Sequence, residues 1–502
     1  MLKLRSYRDR PVHLGGYPLE KLARIAQVDM ARVPPMAHLT FQSDDPKNIV
    51  NAMRDYQAML DATRDGMIKK EIAEIPDDLT ERSDHLKAFG YFCDADMVGI
   101  CKIPKQAWLA QTRENPDVDR LADKLRTMQP TSLAAGVDVI MAGLRESMAL
   151  PPTGCDHHGH AMVFLYAHPR DAHDDEKGTD WIKDATAHRS CLRGMETAVT
   201  LASYLRSLGH EARAHSMVAS DVNLNVLALA AGLIVQTDGS LRNPFTGDLF
   251  GLAAVTTTLP MQADEPLDPK QSLPRSYVMG TGKHAKTART ADPFKARDYR
   301  LGAHPFDTLK RVENPTTYID APNVARVPKR ANLFVRALFG DMGKHVQDAT
   351  KNGNYVRKSA SAYAFRPSLG ALILLQDGEA KSQAGKSLDP DKNADNIKAA
   401  LYFLGVDAVG LSACPDYAYY SHDAAGQPIT PYHQHAISMI VDQGHETMEG
   451  ASGDDWIACA QSMRAYLRFS LLGGVLAQHL RNLGHDARVH SVMDEEVLHP
   501  PL

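Results

Sequence analysis

LRSLGHEARAHSMV (205–218) and LRNLGHDARVHSVM (480–493) agree at nine of their first twelve positions. The same offset of 275 carries His158 onto His433, His160 onto His435, Trp181 onto Trp456 and Arg189 onto Arg464. Upstream, DHLKAFGYFCDADMVGI (84–100) matches DNIKAALYFLGVDAVGL (395–411) at an offset of 311. Further upstream, HLGGYPLEKL (13–22) matches RLGAHPFDTL (300–309), and Ala31-Arg32-Val33-Pro34 matches Ala325-Arg326-Val327-Pro328. Four blocks in one order, with insertions between them, are the mark of an internal repeat. The chain therefore reads as two tandem copies of one unit: a first copy over 1–263, a polar linker over 264–296, and a second copy over 297–502. The first copy runs on through ASDVNLNVLALAAGLIVQTDGSLRNPFTGDLFGLAAVTTTLP (219–260), whereas the second has only DEEVLHPPL. By its own template the second copy is incomplete by roughly forty residues, which predicts a shortened product or a fragment.

Each copy has the same internal order. Ser83 is placed as the cap of a helix over about 84–93, with Leu86, Phe89 and Phe92 as its apolar stripe. DMVGIC (96–101) and DAVGLS (407–412) follow as strands, then AMVFLYA (161–167) and AISMIVD (436–442), apolar runs of the kind covered on both faces. A long helix ends at an LGH turn near Gly209 and again near Gly484, where glycine suits the left-handed residue that closes a helix. A further strand is expected over 212–218 and 487–493. Strand, helix, strand predicts a right-handed parallel crossover and an α/β fold.

Composition narrows the function. The chain is 44% hydrophobic and 23% charged, which is that of a soluble globular protein. A net charge of −5 and the lack of a basic tract argue against nucleic acid as a partner. The N-terminus shows no apolar signal core, and the longest apolar stretch, near 222–235, carries Asn223 and Asn225 and is too short for a bilayer. Six scattered cysteines without a CxxC pair suit a reducing compartment, so a cytoplasmic protein with no membrane partner is expected.

HLGGYPLEKLARI, the helix ending in LRxLG, NVLALAAGL with AAVTTTLPMQADEPL, PDYAYYSHDA and GHETMEGASGDDWIACAQSMRAY together resemble the reductive dehalogenases of the cytoplasmic, catabolic branch. The resemblance covers nearly the whole chain. It implies a degenerate first copy, a second copy that binds base-off cobalamin, and reductive removal of halide from a halogenated aromatic such as a halophenol or hydroxybenzoate. It also implies an external electron donor, a ferredoxin or flavin reductase, and two [4Fe–4S] clusters. Cluster ligation needs runs of closely spaced cysteines, and residues 1–502 contain none.

If only the second copy is catalytic, its site lies where it departs from the first. The clearest departure is CPDYAYYSHD (414–423), set against CKIPKQAWLA (101–110), which adds Tyr417, Tyr419 and Tyr420 after a strand end. By resemblance a tyrosine here gives a proton to the carbon that loses halide, with a basic residue lowering its pKa. Tyr420 is the first candidate and Tyr419 the second; a surface aromatic cluster is the plainer alternative. Arg464, Arg481 and Arg488 repeat Arg189, Arg206 and Arg213, so structural roles are expected of them. His490 and Ser491 are candidates to approach the corrin, although His215 and Ser216 repeat them. Two other readings stay open: an inactive corrinoid-binding scaffold, and a metal-binding protein using the Cys155/His157/His160 cluster, in which His158 is a further donor able to hold a transition metal.

Overall fold

The computed structural model describes residues 11–127, 153–169, 171, 176, 178–270, 310, 312–313, 318–351, 359–381, 389–443, 456–491 and 496–498; the linker reading falls outside them from 271 onward. The chain opens with α1 (Val50–Ala62) and α2 (Leu79–Phe92). The second helix begins earlier than its apolar stripe suggests, because the Asp78 side chain, not Ser83, accepts from the Thr80 amide and caps it. Ser83 sits inside the helix and donates to the carbonyls of Leu79 and Gln262. Next come β1 (Met97–Lys102), β2 (Trp108–Arg113), α3 (Asp117–Thr127), β3 (His160–Ala167), α4 (Thr186–Ser207) and β4 (Ala212–His215). β5 (Ser220–Val222), α5 (Leu224–Ala230), the hairpin β6 (Val235–Thr237) and β7 (Ser240–Arg242), and β8 (Phe250–Thr257) complete the first half. α4 ends where expected, with Gly209 in the left-handed region.

The main sheet has the order β1-β3-β8-β4. β3 and β4 are each antiparallel to β8, so they run parallel to one another across the α4 crossover. They are not neighbours, however, and every ladder is antiparallel. The closing strand corrects the parallel-sheet expectation: β8 returns through the gap the crossover leaves. It can do so because Gly194 on α4 and Gly251 on β8 let helix and strand touch. A Cβ on Gly194 would lie 2.9 Å from the Ala253 Cβ, and one on Gly251 would lie 2.7 Å from the Ser190 Cβ.

The second half contains α6 (Leu333–Phe339), α7 (Lys344–Lys351), α8 (Ala360–Tyr363), α9 (Arg366–Ile373) and α10 (Pro390–Leu404). β9 (Ala408–Ala413), β10 (His435–Ile440), α11 (Trp456–Arg468) and α12 (Gly474–Asn482) follow, the last two joined by a π-turn over Phe469–Gly473. Asp389 caps α10, with Pro390 at its first position. Adding 311 to β1 and 275 to β3 turns the pair Met97↔Leu165 into Ala408↔Ile440, and Lys102↔His160 into Ala413↔His435; both are the observed pairs. The same arithmetic maps the bond from Arg206 to the Ala212 carbonyl (2.9 Å) onto that from Arg481 to the Ala487 carbonyl (2.7 Å). The strand expected over 487–493 does not form: 485–491 is irregular, and among the described residues no strand lies beside it to supply a ladder. β10 likewise is only partly covered, against the two-face burial read from its sequence.

One apolar core runs through both halves. Phe365 packs on Phe89 and Phe92, and the Tyr56 hydroxyl donates to the Leu375 carbonyl at 3.1 Å. The guanidinium of Arg464 lies over Phe92 (4.9 Å) while that of Arg189 lies over Phe403 (5.8 Å), so each half sends an arginine to the other's helix end. Beside them Asp94 binds Arg464 (2.6 Å), Arg468 (2.5 Å) and Arg193 (3.5 Å), while Glu196 holds Arg193 at 2.8 Å. Burial raises the Asp94 pKa, but the three guanidiniums outweigh it and hold the carboxyl well below its usual range. Its side chain keeps 47% of its surface accessible, so Asp94→Asn is expected to cost about 2 kcal/mol in urea unfolding, less than a fully enclosed ion pair.

His479, fully buried edge-on to Trp181 at 4.6 Å, is lowered to about 3 by desolvation. The unfolded chain takes up its proton near pH 6.5, which the folded chain refuses, so this contribution is complete above 6.5 and is lost as the pH falls. His479→Leu should flatten the acid limb of stability against pH; an unchanged slope would assign the limb to other groups.

Candidate functional site

Between β10, the α11–α12 pair and the irregular segment 485–491 lies a cavity of about 1040 Å³. It occupies the groove of the second half that β8 fills in the first. Two local features distinguish its helix wall from that of the first half. Phe469 stands where the first half has Gly194, so a ring lines the helix face that there meets β8. The π-turn then widens the helix at Gly473, against Met439 and Val489. Ile437, Met439, Phe469 and Leu476 line the apolar part; His433, Gln434, Arg488, His490 and Ser491 bring polar groups. His490 and Ser491 are thus at the cavity, on a loop instead of a strand. Their first-half counterparts are structural: the His215 ring bonds Thr256 Oγ1 at 2.9 Å, and Ser216 donates to Asp61 at 2.9 Å.

The tyrosines follow β9 through a 3-10 turn over Asp416–Ala418, entered from Pro415; the first half has the same turn over Lys105–Ala107, entered from Pro104. This shifts the sequence pairing by two residues. Tyr419 stands opposite Trp108 and Tyr420 opposite Leu109, and the crevice is not the end of a parallel strand, since β9 pairs antiparallel with β10. Tyr419 is 1% exposed and lines the cavity. Its hydroxyl accepts from the His433 amide (3.3 Å), its ring meets Tyr432 edge-on (5.2 Å), and burial pushes its pKa up to about 12. Tyr432 donates to Glu496 at 2.6 Å.

Tyr420 is 3% exposed and is not among the cavity-lining residues. Asn332 Nδ2 donates to its hydroxyl at 3.1 Å, and Lys329 Nζ lies 4.8 Å from its ring centroid. Lys329 thus places a cation over the Tyr420 ring, where no basic partner was assigned from the sequence. The signal was there: past the shared Arg-Val-Pro block, Lys329 replaces Pro35. Tyr417 is only partly buried. Of the repeated arginines, Arg464 serves the Asp94 cluster, Arg481 ties the carbonyls of Ala487 and Leu375, and Arg488 pairs with Asp377 at 3.0 Å. These are the structural roles expected.

The donor set Cys155, His157 and His160 is not brought together. Cys155 Sγ accepts from Arg213 at 3.4 Å, and His160 lies in the β3 ladder opposite Lys102; His157 instead groups with His158 and Glu211. The turn at Asp156–His157 redirects the chain between the three sequence positions.

In fold and in sequence, nearly the whole chain is similar to solved reductive dehalogenases. The catabolic reductive dehalogenase NpRdhA matches 99% of this chain at 33% identity and TM-score 0.81. Its complex with 3-bromo-4-hydroxybenzoic acid matches equally, and so does a reductive dehalogenase described for B12-dependent dehalogenation, at 32% identity. This chain spans 66% of the length of each. No protein-family model and no curated protein sequence matches it. No helix among the described residues is long and apolar enough to cross a membrane.

Cys93, Cys101, Cys155 and Cys191 are buried, while Cys414 is partly exposed at the cavity. Among the five described cysteines a maleimide should therefore label Cys414 first, and Cys414→Ser should remove its peptide from the early adducts seen by mass spectrometry. Burial raises this thiol's pKa, so labelling is expected to quicken with rising pH past the usual thiol range.

Proposed function

We propose that this chain forms the corrinoid- and substrate-binding part of a reductive dehalogenase acting on a halogenated hydroxyaromatic acid, with a tyrosine of the 419–420 pair as proton donor. The observation that carries the reading is the open groove of the second half, walled by Tyr419 and by the polar segment that includes His490 and Ser491. We read the shared registers as descent of both halves from one unit, over 1–263 and 297–502, with the first half kept as scaffold.

The residues present fit a corrinoid. The volume is at the upper end for a small-molecule site, and an apolar floor with amide, hydroxyl, imidazole and guanidinium groups around it matches a macrocycle bearing peripheral amides. His490, Ser491 and Gln434 would hold those amides, with Arg488 kept in its ion pair with Asp377. When bound, the corrinoid supplies the reducing centre at which the carbon–halogen bond breaks; electrons come from a ferredoxin or flavin reductase. Phe469, Leu476 and Met439 exclude water from the groove. Tyr419 keeps its proton up to about pH 12 and so presents a neutral phenol at physiological pH. Lys329 lies over the face of the neighbouring Tyr420 ring, a cation–π contact that holds the ring in place.

The test loads the chain with hydroxocobalamin and assays debromination of 3-bromo-4-hydroxybenzoate with a chemical reductant. Corrinoid uptake that protects Cys414 from maleimide is expected, with Tyr419→Phe lowering turnover by about 10²-fold or more. Loss with Tyr420→Phe alone would move the donor one residue along. Absence of corrinoid uptake would overturn the reading, and uptake without turnover would leave a binding scaffold.

A further inference from the structure

The strongest chemistry outside the cavity sits on the opposite half, at the lead-ins to β3 and β4. Consecutive residues of an extended chain point to opposite sides. The turn at Asp156–His157, closed by the His158 amide on the Cys155 carbonyl at 3.0 Å, breaks that alternation. The rings of His157 and His158 consequently meet edge-on with centroids 4.9 Å apart. Glu211, at the foot of β4, reaches both: its Oε2 lies 2.7 Å from His157 Nε2 and 3.9 Å from His158 Nε2. One ligating atom from each of the three residues lies within 4.8 Å of the others.

The surroundings orient these donors. His158 is buried and its Nδ1 bonds Thr256 Oγ1 at 2.9 Å, which leaves Nε2 directed at Glu211. An imidazole held through its far nitrogen is how metal-ligating histidines are usually set. His157 and the Glu211 side chain are about half exposed, so further coordination positions open to water. Arg213, the cation nearby, is already engaged by Asp65 (2.7 Å) and Asp221 (3.4 Å).

The second half provides an internal comparison. At the corresponding positions it has Tyr432, His433 and Asp486. The histidine–acid pair recurs, with 3.5 Å between His433 Nε2 and Asp486 Oδ2, but the first imidazole is replaced by a phenol committed to Glu496. The pair is thus common scaffold, and only the first half adds the third donor.

We propose that His157, His158 and Glu211 form a zinc site that ties the lead-ins of β3 and β4 together across the end of β8. Two imidazoles and one carboxylate are a borderline-soft set that suits Zn²⁺ over Mg²⁺ or Ca²⁺. The experiment treats the purified chain with chelator, desalts it, and titrates Zn²⁺ against a fluorescent competitor, with thermal melting in parallel. One Zn²⁺ per chain and a raised melting temperature are expected. His157→Tyr, the residue of the second half, and Glu211→Gln should each weaken binding by about tenfold or more, while apo melting stays unchanged and the exposed control His345→Ala binds as the parent does. A parent chain that takes up no zinc overturns the site. So does either variant that binds with the parent's affinity, or a Mg²⁺ competition as strong as zinc's.

Discussion

The two similar halves dock through a shared apolar core, and Asp94 gathers the charges at that seam. Asp94 follows the end of α2 with φ of +66°, a conformation that Asp tolerates better than most residues. The matching position after α10 is Gly405, at φ +110°. Both helices need a left-handed residue there, but only the first half puts charge at it. That charge collects Arg193 from its own half and Arg464 and Arg468 from the other, with Glu196 beneath. Three buried guanidiniums cannot be left without counter-charge, so alternative dockings of the halves are strongly disfavoured.

Once docked, the halves differ at a single groove. In the first, Gly194 and Gly251 let β8 lie against α4, and the sheet closes. In the second, Phe469 stands at the position of Gly194 and a π-turn follows it, and the corresponding groove is a cavity of about 1040 Å³. Tyr419, His433 and Arg488 border this space, whose first-half equivalent is filled by the side chains of β8, Ala253 and Val255 among them.

Much of this was readable beforehand. The helix ends at Gly209 and Gly484, the strands near 97, 160, 408 and 435, and the structural arginines are where the sequence put them, because caps, apolar runs and repeated residues act over short distances. What was misplaced depended on distant partners. Asp78 displaced Ser83 as a cap only five residues away, but β8 begins 35 residues past the end of β4 and turned the expected parallel neighbours into an antiparallel sheet. The stretch 487–490 differs from β4 at one residue, Val489 for Ala214, yet stays irregular because a strand needs a ladder.

Sequence alone pointed to matching registers in the two halves, to the resemblance to reductive dehalogenases, and to a tyrosine pair as a candidate site. Tertiary structure decided which tyrosine borders the cavity, that Lys329 is the cation beside the other, and that His158 and Glu211 rather than Cys155 and His160 join His157. The physical reason is the same each time: a hydrogen bond to a cap is encoded within four residues, whereas the meeting of Lys329 with Tyr420, or of His157 with Glu211, exists only after the backbone has turned and packed.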